Sequence, residues 1–80
     1  MLNGLEIRTI TLRKSVAEQL DCIWTLSKAQ YNRMTILGRV RGKAIGTFNG
    51  YLLLAKLDGQ YCFVKLNYSE MLKYPLIIVN

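Results

Sequence analysis

Residues 49–66 read NGYLLLAKLDGQYCFVKL, and this stretch decides the fold. The dipeptides Asn49-Gly50 and Asp58-Gly59 supply the positive φ angles that two-residue type I′ hairpin turns need. The runs between them are rich in aliphatic and aromatic residues and have the length of strands. Gly42 offers a further two-residue turn, of type II′, within Arg41–Ala44. The sequence therefore predicts a four-stranded antiparallel meander, with strands at about 34–41, 44–48, 51–57 and 60–66.

Both faces of this meander are apolar. Two-residue turns fix the register, so residues directly opposite each other share a face. The first face carries Phe48, Tyr51, Leu53, Ala55, Leu57, Cys62, Val64 and Leu66, and it reads as a core face. The second face carries Ile45, Thr47, Leu52, Leu54, Lys56, Tyr61, Phe63 and Lys65, which is not a water-facing set. Either more of this chain covers the second face, as in a small closed barrel, or a partner does.

Shorter elements flank the meander. Leu5–Leu12 favours a strand. The capping-box pattern at Ser15 and Glu18 predicts a helix from about Val16 to Trp24, whose apolar side covers the first face. A second capping box at Ser27 and Gln30 predicts a single helical turn over 28–32, and a further turn is expected over 68–72 before a last strand at 76–79.

The predicted fold class is α+β. One short helix packs on a curved, mainly antiparallel sheet of five to six strands in the order β-α-β-meander-β, with a small barrel as the alternative. All 80 residues are expected to form a single domain, since that length leaves no room for a second.

Composition narrows the class of protein. Hydrophobic residues make up 51% of the chain, which excludes an intrinsically disordered tail. Cys22 and Cys62 are far apart and do not form a C-x-x-C pair. The chain shows no secretory signal at its start and no apolar stretch of the ~20 residues that a spanning helix needs. The sequence therefore predicts a cytoplasmic protein with reduced thiols and no membrane partner.

No catalytic constellation is visible. The chain has no His, which removes the commonest general base and metal ligand. Its five carboxylates form no obvious pair, because Glu18 is explained by its cap and Asp58 by its turn. We therefore expect a small non-catalytic binding protein, a regulator or inhibitor, without metal or cofactor.

The positive charge is concentrated in the middle of the chain. The net charge is +6, and no acidic residue lies between Asp21 and Asp58. A basic hairpin can follow a phosphate backbone and release counterions. We therefore expect nucleic acid or a nucleotide-like anion to bind this region, with Tyr61 and Phe63 adding a stacking surface for single-stranded bases. The candidate contacts are Arg33, Arg39, Arg41, Lys43 and Lys56.

Three alternatives remain open at this point. The protein can be an inhibitor or adaptor of mobile-element or phage type that binds an acidic or nucleic-acid-handling protein through the second face, since exposed apolar patches mark interaction sites. The residues of that interface are Leu52, Leu54, Tyr61, Phe63 and Lys65. It can also form a homodimer through the edge of Leu76–Val79. Finally, the cations can simply keep the protein soluble.

Overall fold

The computed structural model describes residues 11–47 and 49–80 and shows an α+β fold. Short helices pack on a mixed, mostly antiparallel sheet of four strands, and a further pair of strands lies beside it. The elements in chain order are β1 (Thr11–Leu12), α1 (Lys14–Ala17), β2 (Cys22–Ile23), α2 (Lys28–Arg33), β3 (Thr35–Arg41), a 3₁₀ helix (Gly42–Ile45), β4 (Tyr51–Leu57), β5 (Gln60–Val64), α3 (Tyr68–Met71) and β6 (Ile78–Val79).

The main sheet has the strand order β2-β5-β4-β3. Strand β4 is antiparallel to both β3 and β5, whereas β2 runs parallel to β5. The second sheet pairs β1 and β6 in parallel, and a bridge between Arg39 and Leu76 links the C-terminal segment to β3. Within the described ranges the strands do not close a barrel, so that alternative is wrong.

The hairpin between β4 and β5 has the predicted turn. Asp58 and Gly59 have φ angles of 51° and 81°, as a type I′ turn requires. The register confirms the predicted pairs, including Leu57 with Gln60 and Ala55 with Cys62. Local turn chemistry therefore fixed this part of the sheet.

The predicted strand at 44–48 and the predicted two-residue hairpins at Arg41–Ala44 and Asn49-Gly50 are wrong, so the meander has three strands. Strand β3 pairs directly with β4, from Thr35 opposite Lys56 to Arg41 opposite Tyr51. The intervening loop closes on itself, because the Gly42 amide donates to the Gly50 carbonyl and the Gly42 carbonyl accepts from both the amide and the hydroxyl of Thr47. Gly46, at a φ of 79°, ends the 3₁₀ helix. Phe48 lies outside the described residues.

The first helix is much shorter than the predicted 16–24. It begins after Arg13 and not at a Ser15 cap, and Ala17 is its one buried residue. The chain then turns, and the strand Cys22–Ile23 pairs with β5. Hydrogen bonds from Phe63 N to Asp21 O (2.8 Å) and from Lys65 N to Ile23 O (3.3 Å) satisfy the backbone amides of and just after β5. This strand pairing outweighs the helical propensity that the spacing of apolar residues indicates. Of the predicted core side, Val16 and Trp24 are exposed.

The other flanking elements follow the predictions more closely. The Ser27 capping box is present, with Gln30 N donating to Ser27 Oγ and Ser27 N donating to Gln30 Oε1. It begins α2, which extends one residue beyond the predicted turn. The turn at 68–72 and the last strand are confirmed in shortened form. Of the predicted strand Leu5–Leu12, the structure describes and confirms Thr11–Leu12, and the remainder lies outside the described residues.

The core lies on both faces of the sheet. The first face contributes Leu53, Ala55, Leu57, Cys62 and Val64, and Met71 of α3 packs against it, not the first helix as expected. On the second face, Leu52, Leu54 and Phe63 pack with Ala17, Val40 and Ile77. Elements of the same chain therefore cover the apolar centre of the second face.

Among the described residues, no helix is long and apolar enough to cross a membrane.

Candidate nucleic-acid interface

The structure divides the five predicted cations into separate groups. Strand β3 runs for six residue steps from Thr35 to Arg41, a length of about 20 Å at ~3.3 Å per step. Arg33 and Lys56 lie at one end of this strand, and Arg41 and Lys43 lie at the other. The five side chains therefore do not form one continuous patch.

The cations at the first end already have intramolecular contacts. Arg33 makes a bidentate ion pair with Asp58, with Nε–Oδ1 and Nη2–Oδ2 distances of 3.1 and 3.2 Å. Lys56 Nζ lies 5.4 Å from the centre of the Tyr61 ring, a cation–π distance. A phosphate would have to compete with Asp58 for the Arg33 guanidinium.

Arg39 is held inside the fold. Its Nη1 donates to the backbone carbonyl oxygens of Tyr74 and Leu72, and its guanidinium lies 5.1 Å from the centre of the Tyr51 ring. Its backbone also bonds the C-terminal segment, with distances of 2.8 Å from Arg39 N to Pro75 O and from Ile77 N to Arg39 O. These contacts make Arg39 a structural anchor for the chain after α3.

Arg41 and Lys43 remain as an exposed cationic pair. They line a cleft of about 290 Å³ together with Asn49, Gly50, Tyr51 and Tyr68. Neither of their side chains makes a hydrogen bond or ion pair within residues 11–47 and 49–80. No carboxylate lines the cleft among those residues, so its charge is positive.

Two tyrosines form the aromatic part of this cleft. The Tyr51 and Tyr68 rings stack with centroids 6.1 Å apart and an interplanar angle of 30°. Tyr51 is half-buried, whereas Tyr68 is 60% exposed. Tyr51 lies directly opposite Arg41 in the β3–β4 pair, which places both side chains on one face of the sheet.

The position of Tyr68 follows from the way α3 is built. Asn67 caps this helix, since its Oδ1 accepts from the Glu70 amide at 2.9 Å. Met71 on the same helix is buried against the first sheet face. Sequence reasoning missed Tyr68, because the Asn67 cap can reveal where the helix begins but not that the helix packs beside Tyr51.

Three of the five predicted interface residues are core residues. Leu52, Leu54 and Phe63 are 0%, 4% and 1% exposed, because α1 and the C-terminal segment cover the second face. They cannot contact a partner or a base without unfolding. Tyr61 is exposed, and Lys65 is half-buried with its Nζ donating to the Leu66 carbonyl at 3.0 Å.

The edge predicted for a homodimer makes contacts within the chain. Leu76 bridges Arg39, and Ile78 and Val79 pair with Thr11 and Leu12. Hydrogen bonds from Lys14 N to Asn80 O and from Asn80 N to Leu12 O extend this pairing. The backbone of the last strand therefore ties the C-terminus to the start of α1.

A larger cleft, of about 360 Å³, contains a thiol and two carboxylates. Asp21, Asp58 and Cys62 line it beside Ile23 and Tyr61. Burial, and secondarily the Asp21 carboxylate, raises the pKa of both the Cys62 and the Cys22 thiol, which keeps them protonated and poorly nucleophilic. Neither cysteine forms a disulfide within the described residues. In the described part of the chain, no group of three His, Cys, Asp or Glu side chains could hold a metal ion.

Comparisons of the chain with protein-family models, with curated proteins and with solved structures find no match.

Proposed function

We propose that the protein is a small non-catalytic regulator that binds nucleic acid, or a nucleotide-like anion, through the cleft of Arg41 and Lys43. The observation that carries the proposal is that two exposed cations, which make no hydrogen bond or ion pair with the described residues, line one cleft with a stacked aromatic pair. Cations that contact phosphates, combined with rings that contact bases, are the two components of nucleic-acid recognition without a sequence code.

The electrostatics of the whole chain support the same assignment. The net charge of +6 attracts a polyanion over a distance set by ionic strength. Arg33 and Arg39, in contrast, contribute to this field but are engaged by Asp58 and by backbone carbonyls. Of the five predicted cations, we therefore retain Arg41 and Lys43 as the proposed direct phosphate contacts.

The proposal is tested by fluorescence anisotropy with a labelled oligonucleotide at several salt concentrations. Two phosphate contacts on a single strand give a slope of about −1.4 in a plot of log K against log salt. The variant Arg41→Glu/Lys43→Glu should bind more weakly than the wild type, and the binding that remains should depend less on salt.

The matched control is Lys28→Glu/Lys56→Glu, which makes the same change in net charge at the other end of the sheet. This control should bind more weakly than the wild type but more tightly than the first variant. Equal losses in the two variants, or affinity independent of salt, would refute a site at this cleft. Binding to an acidic protein but to no oligonucleotide would instead favour the protein-partner alternative.

A further inference from the structure

We infer that the ligand of this cleft is a single strand, with one base stacked on the exposed ring of Tyr68. This inference rests on the proposed function and specifies it, because the cations alone would serve a duplex or a single strand equally well. The stacked pair of Tyr51 and Tyr68 is what favours the single strand.

The two rings differ in how much surface they offer. Tyr51 contacts the Arg39 guanidinium and the Tyr68 ring, and it is half-buried. Tyr68 contacts Tyr51 but leaves 60% of its surface in solvent, although it is a large apolar ring. An unpaired base of a single strand can stack on such a ring. This contact tolerates any sequence because every base has a π face.

The rings of Tyr51 and Tyr68 are held in place before any ligand binds. Met71 and the Asn67 cap fix α3, which carries Tyr68. Arg39 holds the carbonyls of Leu72 and Tyr74, immediately after α3, and contacts Tyr51 at the same time. Because both rings are linked to Arg39 or to the helix it anchors, little conformational entropy is lost when a base stacks.

The cations lie where the strand backbone would pass. Arg41 and Lys43 line the same cleft as Tyr68, so a phosphate and a neighbouring base can be contacted together. The cleft volume of about 290 Å³ is just below the range typical of pockets for drug-sized ligands, so the cleft is a small surface site. In a duplex the bases already stack on each other and are not available to the ring.

The predicted stacking surface at Tyr61 and Phe63 does not compete with this one. Phe63 is buried, and Tyr61 lies beside Lys56 near the opposite end of the sheet. Tyr61 is nevertheless half exposed, which makes Tyr61→Ala a matched control for the removal of a surface tyrosine.

The experiment compares three labelled probes of equal length at low salt: oligothymidylate, an abasic oligomer with the same number of phosphates, and a duplex. Oligothymidylate should bind the wild-type protein about 5- to 150-fold more tightly than the abasic oligomer, the range expected for one stacked base. The variant Tyr68→Ala should lose this difference and leave affinity for the abasic oligomer unchanged. Tyr68→Phe should retain most of the difference, and Tyr61→Ala should retain all of it.

The possible results separate this inference from the proposed function. If oligothymidylate and the abasic oligomer bind the wild type equally, and both are lost in Arg41→Glu/Lys43→Glu, the phosphate site stands and base stacking is overturned. The same holds if the duplex binds more tightly than oligothymidylate. If none of the three probes binds, both the inference and the proposed function are overturned.

Discussion

The guanidinium of Arg39 donates a hydrogen bond to the backbone carbonyl of Tyr74, 35 residues further along the chain. The Arg39 backbone bonds Pro75 and Ile77 in the same region. One residue of an edge strand therefore secures the end of α3 and the segment that leads to β6. This arrangement links the positions of Tyr51 and Tyr68 to the closure of the C-terminus.

Arg39→Ala is expected to destabilise the protein by about 1.5–3 kcal/mol, the range for hydrogen bonds to a charged group. Arg33→Ala is the matched control, since it removes an equally charged side chain whose exposed ion pair contributes at most about 1 kcal/mol. Urea denaturation of both variants measures the difference. Equal free energies of unfolding in the two variants would show that Arg39 does not anchor the C-terminal segment.

Gly38→Ala should destabilise the protein by about 1–3 kcal/mol, because a Cβ at this position overpacks the contact with the C-terminal segment. The added atom would lie 2.7 Å from both Ile77 Cγ1 and the Pro75 carbonyl oxygen. The Ile77 amide, which bonds Arg39 O, should also exchange its hydrogen faster. Thr35→Ala, at an exposed position of the same strand, serves as the control; unchanged exchange at Ile77 in Gly38→Ala would contradict the close approach.

Phe63→Ala should cost about 3–5 kcal/mol, as truncation of a buried aromatic does. A domain of this size is typically stable by about 4–12 kcal/mol, so the variant should be largely or partly unfolded. Tyr61→Ala, two residues away on the same face but exposed, should change the free energy of unfolding by less than about 1 kcal/mol. Thermal melting followed by circular dichroism distinguishes the two variants. A fully folded Phe63→Ala would show that the second face is not core and is again a candidate interface.

The sequence predictions that the structure confirms depend on neighbouring residues, although the Ser15 cap and the Asn49-Gly50 turn, which are equally local, are wrong. Asp58-Gly59 determined a turn and thereby the register of two strands, and Ser27 with Gln30 determined a helix start. The prediction of a long first helix failed because Cys22 and Ile23 pair with Phe63 and Val64, a contact that helical spacing cannot reveal.

The same distinction explains the site. Arg41 and Lys43 were candidate contacts because the positive charge is concentrated between Asp21 and Asp58, and both residues line the cleft. The loss of Arg33 and Arg39 from the site depends on Asp58 and on backbone carbonyls after α3, contacts made 25 to 35 residues away. Tyr68 was not predicted, because its place in the cleft depends on the packing of Met71, which brings their helix next to Tyr51.

Stability should decline at alkaline pH more steeply in the wild type than in Cys22→Ala/Cys62→Ala. Burial, followed by the Asp21 carboxylate, raises the pKa of both thiols in the folded state. Folding therefore favours the protonated thiols, and this contribution is full below the unfolded pKa of about 8.5 and is lost as the pH rises through the folded value. Urea denaturation between about pH 7.5 and 10 gives the two slopes, and Asp21→Asn should produce an intermediate slope. Parallel curves for the wild type and the double variant would contradict the linkage.

Asn67→Ala should reduce stability by about 1 kcal/mol and, in addition, weaken the binding of oligothymidylate. The stability change follows from the loss of the cap that accepts from the Glu70 amide. The binding change follows from the position of Tyr68, which is the first residue of the helix that this cap begins. Ser27→Ala is the matched control, because it removes an equivalent cap from α2, and no residue of α2 lines the cleft. If both variants lose stability but only Asn67→Ala loses affinity for oligothymidylate, with no loss for the abasic oligomer, the cap acts on binding through the Tyr68 ring. If the two variants bind oligothymidylate equally well, the order of α3 has no part in recognition, and the stacking contact does not depend on a fixed Tyr68.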